Sequence, residues 1–246
     1  MAESILVTIE LSGSDISVGT LYPGRLDTVS FRYNDGYLAR PGAFPLGPDL
    51  PLVSGTQPLH AFGPFADSAP DTWGRKVLNR AHPSRRMGSL DLLLGTNDFG
   101  RNGALRFWSD GVALAPGDGV PSVQNLADLL STAHDIGRDR DVRETPRAQR
   151  LLEATGSLGG ARPKANVLIG DELWIAKFPK PIGDAYDVIA WEFACNRALI
   201  ASGIDAAPAR REVLGGPEHR SLPPLRSRAR RHPHPLPFRD ERARRQ

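Results

Sequence analysis

Gly156-Ser-Leu-Gly-Gly-Ala-Arg-Pro-Lys164-Ala165 runs through a short apolar stretch and a Gly170-Asp171 turn into Leu173-Trp-Ile-Ala-Lys177-Phe178. Glycines without a Cβ let backbone N–H groups come close to an anion, and successive N–H groups form an anion-binding concavity. Two phosphate motifs are excluded. Five positions after Gly156, where a P-loop has its second Gly, stands Ala161, and Lys164 precedes Ala165 rather than Ser or Thr, so there is no P-loop; no G-x-G-x-x-G occurs in the stretch either. What remains is a kinase-like layout. Lys177 sits on a predicted strand 17 residues after Gly160, and Glu192 follows 15 residues later in a helical pattern, the order in which kinases pair a strand lysine with a helix glutamate. Spacing alone also fits a tight structural turn before a hairpin. Lys177 shares one strand face with Ile175 and Leu173 while Trp174, Ala176 and Phe178 take the other; an apolar strand carrying a single lysine points to phosphate binding over a snorkelling surface lysine.

Ser157-Leu-Gly-Gly-Ala-Arg-Pro-Lys164, Leu-Trp-Ile-Ala-Lys177-Phe-Pro and Tyr186-Asp-Val-Ile-Ala-Trp-Glu192-Phe resemble the HipA family of serine/threonine kinase toxins from bacterial toxin–antitoxin pairs. Upstream, Ser30-Phe-Arg-Tyr33, Ala43-Phe-Pro-Leu46, the run Phe65 to Trp73, Asp91-Leu-Leu-Leu-Gly95 and Arg101 to Phe107 resemble the N-terminal region of the same family. The resemblance covers roughly residues 5 to 208.

The resemblance implies an ATP site with Mg²⁺, in which Gly159, Gly160, Ala161, Lys164, Ile175, Lys177 and Glu192 face the nucleotide. It makes Ser157 the autophosphorylation site; a phosphoserine beside a phosphate pocket repels the nucleotide. It also implies a HipB-like helix-turn-helix antitoxin as partner; the protein substrate stays unknown. Phosphoryl transfer further needs an aspartate to orient the acceptor, and an asparagine and a second aspartate for Mg²⁺. The family carries these in a helical C-terminal lobe beyond the position of residue 208, whereas here Asp240, in an arginine-rich context, is the sole aspartate after Asp205. No catalytic residue is therefore assigned. The expectation is a HipA-like toxin shortened to its first half and without kinase activity, or else a non-catalytic antitoxin-binding module that affects operon repression.

The formal charge of +3 divides unevenly. Residues 209–246 hold 11 arginines against 4 acids, a balance of +7, which leaves 20 basic and 24 acidic residues, or −4, for residues 1–208. The basic pI thus reports the tail, and arginines without aromatics or a fold give only nonspecific, salt-sensitive attraction to nucleic acid. One cysteine, Cys195, is read as a packing residue of a reducing cytoplasm. The six histidines show no ligand spacing, which speaks against a metal site. Met1 to Glu10 has acids where a signal peptide is basic, and no run of 18 apolar residues occurs, so no membrane segment is expected.

The predicted fold class is α+β: a small antiparallel β cap over residues 1–110, then a kinase-like N-lobe over 111–208 lacking the helical C-terminal lobe. Strands are predicted at 6–10, 16–21, 29–33 and 104–108, the last turning at Asp110-Gly111 into a strand at 112–114, a helix over 71–81 with Trp73, Val77 and Leu78 inward, and one over 89–94. Ser122 is read as the cap of a helix burying Leu126, Leu129, Leu130 and Ala133, residues 137–144 as a mobile connection, and Thr145-Pro146 as opening another short helix. A helix over 187–203, with Asp187 as its N-cap and Gly203 as its C′ glycine, buries Val188, Trp191, Cys195 and Leu199. Residues 209–246 are read as a disordered Arg/Pro-rich tail. Their composition is that of a GC-rich gene read out of frame, with the shift between about Pro208 and Ser221.

Overall fold

The computed structural model describes residues 4–25, 27–60, 62–84, 87–114, 119–138, 140, 150–152, 154 and 162–211, and the backbone alone at 212–213 and 221–227. It is α+β. Six antiparallel strands form the first sheet: β1 (Ile5–Leu11), β2 (Ser14–Pro23), β3 (Val29–Tyr33), β4 (Thr56–Pro58), β5 (Leu105–Ser109) and β6 (Val112–Ala113), in the order β4-β3-β2-β1-β5-β6. The β1–β2 turn places Ser12 at φ 51° and Gly13 at φ 79°, the doubly left-handed conformation whose twist matches paired strands. Residue 110 lies in the turn between β5 and β6, so β6 completes this sheet.

The inward face follows the sequence alternation: Ile5, Val7, Ile9, Leu21, Phe31, Tyr33 and Phe107 form one core with Phe65 and Leu93. The proline-rich segment after residue 40 has few ladder bonds, and Tyr33 supplies a substitute. Its hydroxyl donates to the Leu50 carbonyl at 2.8 Å and accepts the Leu46 N–H at 2.9 Å. Helix α1 (Asp35–Leu38) precedes that segment, and α2 (Thr72–Ala81) and α3 (Ser89–Leu94) follow it. Arg101 is fully buried beside the end of α3: it bonds Asp98, donates to the carbonyls of Ser68, Leu93 and Thr96, and lies 4.8 Å from the Phe107 ring centroid.

The second sheet is antiparallel in the order β7-β8-β10-β9, from β7 (Lys164–Ile169), β8 (Glu172–Lys177), β9 (Ala209–Val213) and β10 (Ser221–Ser227). Helix α4 (Leu126–Gly137) packs Leu126, Leu129, Ala133 and Ile136 against Ala165, Val167, Trp174, Ala176 and Phe178. Trp73 and Val77 of α2 belong to this second core. Gly137 ends α4 where a Cβ would stand 2.6 Å from Pro181, so the chain after β8 runs closer to the helix end than any side chain would allow.

Four expectations differ from the structure. Ser122 does not cap α4: it precedes a 3₁₀ turn (Val123–Asn125), and its hydroxyl is 3.4 Å from the Asn125 side-chain oxygen. Helix α5 (Val188–Ala201) has the expected Asp187 cap, which accepts the Ala190 N–H at 2.9 Å, and the left-handed Gly203 after its end. Its buried face is nevertheless Ile189 and Asn196, while Trp191 is 63% exposed and Cys195 and Leu199 are exposed too. The helix is apolar almost all round, so periodicity could not choose its face; Asn196, donating to the Ala207 carbonyl at 3.0 Å, and Glu192 choose it. Cys195 is accordingly not a packing residue. Finally, residues 209–213 and 221–227, read as irregular tail, are strands. A ladder needs only backbone groups and a partner edge, which β8 supplies to β10. The register slips between Ser221 and Pro224, where Pro223 and Pro224 lack the N–H a regular ladder uses.

Candidate functional site

β7 and β8 form a hairpin in which Lys164 and Lys177 are direct partners. Directly opposed residues share a face of the sheet, so like charges there destabilise unless each is balanced. Each is. Lys177 Nζ donates to Glu192 Oε1, and both side chains are about three-quarters buried. The helix position is set by Asp187 at the α5 N-terminus, one turn earlier. Lys164 Nζ donates to Asp71 Oδ2, with both side chains more than nine-tenths buried.

Asp71 has a second task. Its other oxygen accepts the Gly74 N–H at 2.6 Å and caps α2. Two residues on, Trp73 donates its indole N–H to the Lys164 carbonyl at 2.9 Å. Residue 164 is thereby held by side chain and backbone to the helix that begins at Thr72.

Arg162, two residues before β7 begins its ladder, forms a forked pair with Asp184: Nη1 to Oδ2 at 2.7 Å and Nη2 to Oδ1 at 3.0 Å. Asp184 Oδ2 also accepts the Lys180 N–H at 3.1 Å. The Arg162 bond holds the Asp184 carboxyl below the usual carboxylate range, and the same bond, with a smaller contribution from the Glu192 charge, raises Arg162. Bidentate arginine–carboxylate pairs fix geometry as well as adding energy. The segment between β8 and α5 is thus pinned on one side by Arg162 and on the other by its approach to Gly137.

Of the residues named from sequence, the structure brings Lys177 and Glu192 together, places Ile175 half-buried on β8 two residues before Lys177 and opposite Asn166, and puts Lys164 across the ladder with its ammonium on Asp71. Gly159, Gly160, Ala161 and Ser157 lie outside the described residues, as do most of the 137–144 connection and the start of the 145–146 helix. Sequence reasoning missed Asp71, Asp184 and the part played by Arg162. Arg162 stood inside the quoted motif and Asp71 inside the run Phe65 to Trp73, but a signal for Asp184 was lacking. A lysine about three-quarters buried and oriented by a carboxylate suits a phosphate, so the phosphate part of Mg-ATP fits Lys177; for the metal, no group of three His, Cys, Asp or Glu side chains gathers among the described residues. Among those residues no helix is long and apolar enough to cross a membrane.

Residues 10–107 match the family model of the HipA N-terminal domain, and the chain carries a HipA-family N-terminal region there. The solved Shewanella oneidensis MR-1 toxin–antitoxin complex of HipA, HipB and its operator DNA is similar at 14% identity with a TM-score of 0.49, over 91% of this chain and 50% of that one. The chain therefore spans about half the length of that relative. No curated protein matches.

Proposed function

We propose that this chain joins a HipA-type N-terminal region to a kinase-like nucleotide lobe, in which Lys177, held by Glu192, binds the phosphates of ATP. The observation that carries this is the Lys177–Glu192 pair itself, a strand lysine oriented by a helix glutamate. In such a site the lysine neutralises phosphate charge, and the glutamate fixes where the ammonium points. Gly159, Gly160 and Ala161 supply backbone donors in this reading, Lys164 adds positive charge behind them, and Ser157 is the modified hydroxyl. Mg²⁺ bound together with ATP would supply positive charge to offset that of the phosphates, and no group of three His, Cys, Asp or Glu side chains gathers among the described residues to hold it.

Residues 1–246 contain no acceptor-orienting aspartate in a kinase-like context, so by themselves they bind nucleotide weakly and transfer no phosphate. Calorimetric titration with Mg-ATP tests the first part: weak binding in the wild type, reduced about tenfold or more in Lys177→Ala. Equal affinity in the two proteins contradicts the role of Lys177. Incubation with labelled ATP tests the second part, and label transferred by the wild type but not by Lys177→Ala contradicts inactivity.

A second reading is favoured by the match over residues 10–107. The N-terminal region associates with a HipB-like helix-turn-helix antitoxin in the cytoplasm and alters operon repression without catalysis. Co-purification with the neighbouring antitoxin at low salt tests it; complete loss of retention removes it.

A further inference from the structure

We propose that Arg162 is a phosphate-binding residue for which Asp184 is the competing anion: an incoming polyphosphate takes the guanidinium fork, and the carboxylate is released. This rests on the nucleotide reading of Lys177 given above. The β7–β8 ladder extends one pair beyond Lys164 and Lys177, with the Phe178 N–H donating to the Pro163 carbonyl at 2.9 Å, so Arg162 enters the hairpin at the end that carries Lys177. The charge of Glu192, the partner of Lys177, also reaches Arg162. Solvent reaches the fork as well. The side chains of Arg162 and Asp184 are 24% and 17% exposed, about as open as the Lys177–Glu192 pair, whereas those of Lys164 and Asp71 are more than nine-tenths buried.

A guanidinium fork fits carboxylate and phosphate in the same two-bond geometry, and a phosphate group carries more negative charge than one carboxylate. Arg162 gives both Nη groups to Asp184, so a phosphate and Asp184 cannot hold that fork together. Asp184 is also loosely anchored by its own stretch of chain. Of residues 182–187 it alone is not exposed. Gly183, just before it, lies at φ 100° with open space where a Cβ would stand, a conformation that glycine takes readily. Little apolar burial holds this stretch, so releasing the carboxylate costs about what the ion pair itself contributes. The bond from the Lys180 N–H to Asp184 lies within the same connection and need not break.

The test is calorimetric titration of the full chain at fixed salt with inorganic tripolyphosphate and with Mg-ATP. Asp184→Asn removes the competing charge and keeps the side-chain shape. It is expected to raise affinity for both ligands about fivefold, the gain when binding no longer has to break a partly exposed ion pair. Arg162→Gln is expected to lower both affinities about tenfold. With Arg162→Gln in place, adding Asp184→Asn changes affinity by less than about twofold, because only a screened, distant charge is then removed. A full rise in that background overturns the proposal, as does an Asp184→Asn affinity equal to or below that of the wild type. Absence of binding by the wild type and by Asp184→Asn alike overturns it too. Should Arg162→Gln fail to fold, hydrogen exchange of the wild type reads the release itself: saturating tripolyphosphate speeds exchange at residues 182–187, and unchanged or slower exchange overturns the proposal. Lys177→Ala binding as tightly as the wild type, with the Arg162–Asp184 dependence intact, defeats the nucleotide reading and leaves this one standing.

Discussion

Arg162 grips Asp184 with two hydrogen bonds of 2.7 and 3.0 Å across 22 residues of sequence, and so ties the entry to β7 to the segment that leads into α5. Because the fold depresses the Asp184 carboxyl, the pair stabilises the protein fully above the unfolded aspartate value of about 4, and that contribution is lost as pH falls through the lower folded value. Asp184→Asn should therefore be less stable than wild type by about 1 kcal/mol at neutral pH. Urea titrations at several pH values should show the gap closing below about pH 4; a gap independent of pH rules the linkage out.

Arg101 is the most demanding side chain of the first core, a buried cation with one carboxylate and three carbonyl partners. Arg101→Met removes the donor from all of them and should cost about 3–5 kcal/mol, as breaking a buried pair does. Arg101→Lys keeps the charge without the planar fork and should fall between. Guanidinium denaturation midpoints measure both, and a lysine variant as stable as wild type contradicts the need for a fork.

On α5 the two faces predict opposite outcomes. Ile189→Ala should cost about 2–5 kcal/mol, as truncation of a fully buried aliphatic side chain does. Trp191→Ala, at a position 63% exposed, should change stability by less than about 0.5 kcal/mol. The reverse order in thermal unfolding would restore the face read from sequence.

Trp73 carries both packing and a bond to the Lys164 carbonyl. Trp73→Phe keeps most of the apolar area but leaves that carbonyl without the indole donor, which should cost about 1–3 kcal/mol. Trp73→Ala adds the loss of packing, about 3–5 kcal/mol in all. Equal stability of the Phe variant and the wild type in chemical denaturation shows that the bond contributes nothing.

Local signals carried the strands well. Alternation at Val29 to Tyr33 and the Asp110-Gly111 turn placed β3 and the β5–β6 hairpin, because a period of two with one buried face leaves little freedom of register. The Asp187 cap and Gly203 gave the ends of α5 but not its orientation, since a helix apolar all round has no preferred stripe until a partner such as Asn196 fixes one. The Lys177–Glu192 pairing was legible because strand and helix spacing together bring those residues to one place. Asp71 was not. Its partner lies 93 residues away, and nothing in a capping aspartate's neighbourhood reveals that its second oxygen serves another sheet. β9 and β10 were missed because a backbone ladder formed on an open edge leaves no side-chain period to read.

Helix α2 belongs by sequence to the stretch matched by the N-terminal domain, yet Trp73 and Val77 point into the core under β7 and β8. The matched stretch thus shares its packing with the second sheet. Residues 1–110 prepared alone would leave an indole and a valine facing water and Asp71 without its cation, so that fragment starts from a deficit. Because α2 packs Trp73 and Val77 into the second core, the two sheets of the full chain are expected to unfold in one transition, which calorimetry would record as a single peak.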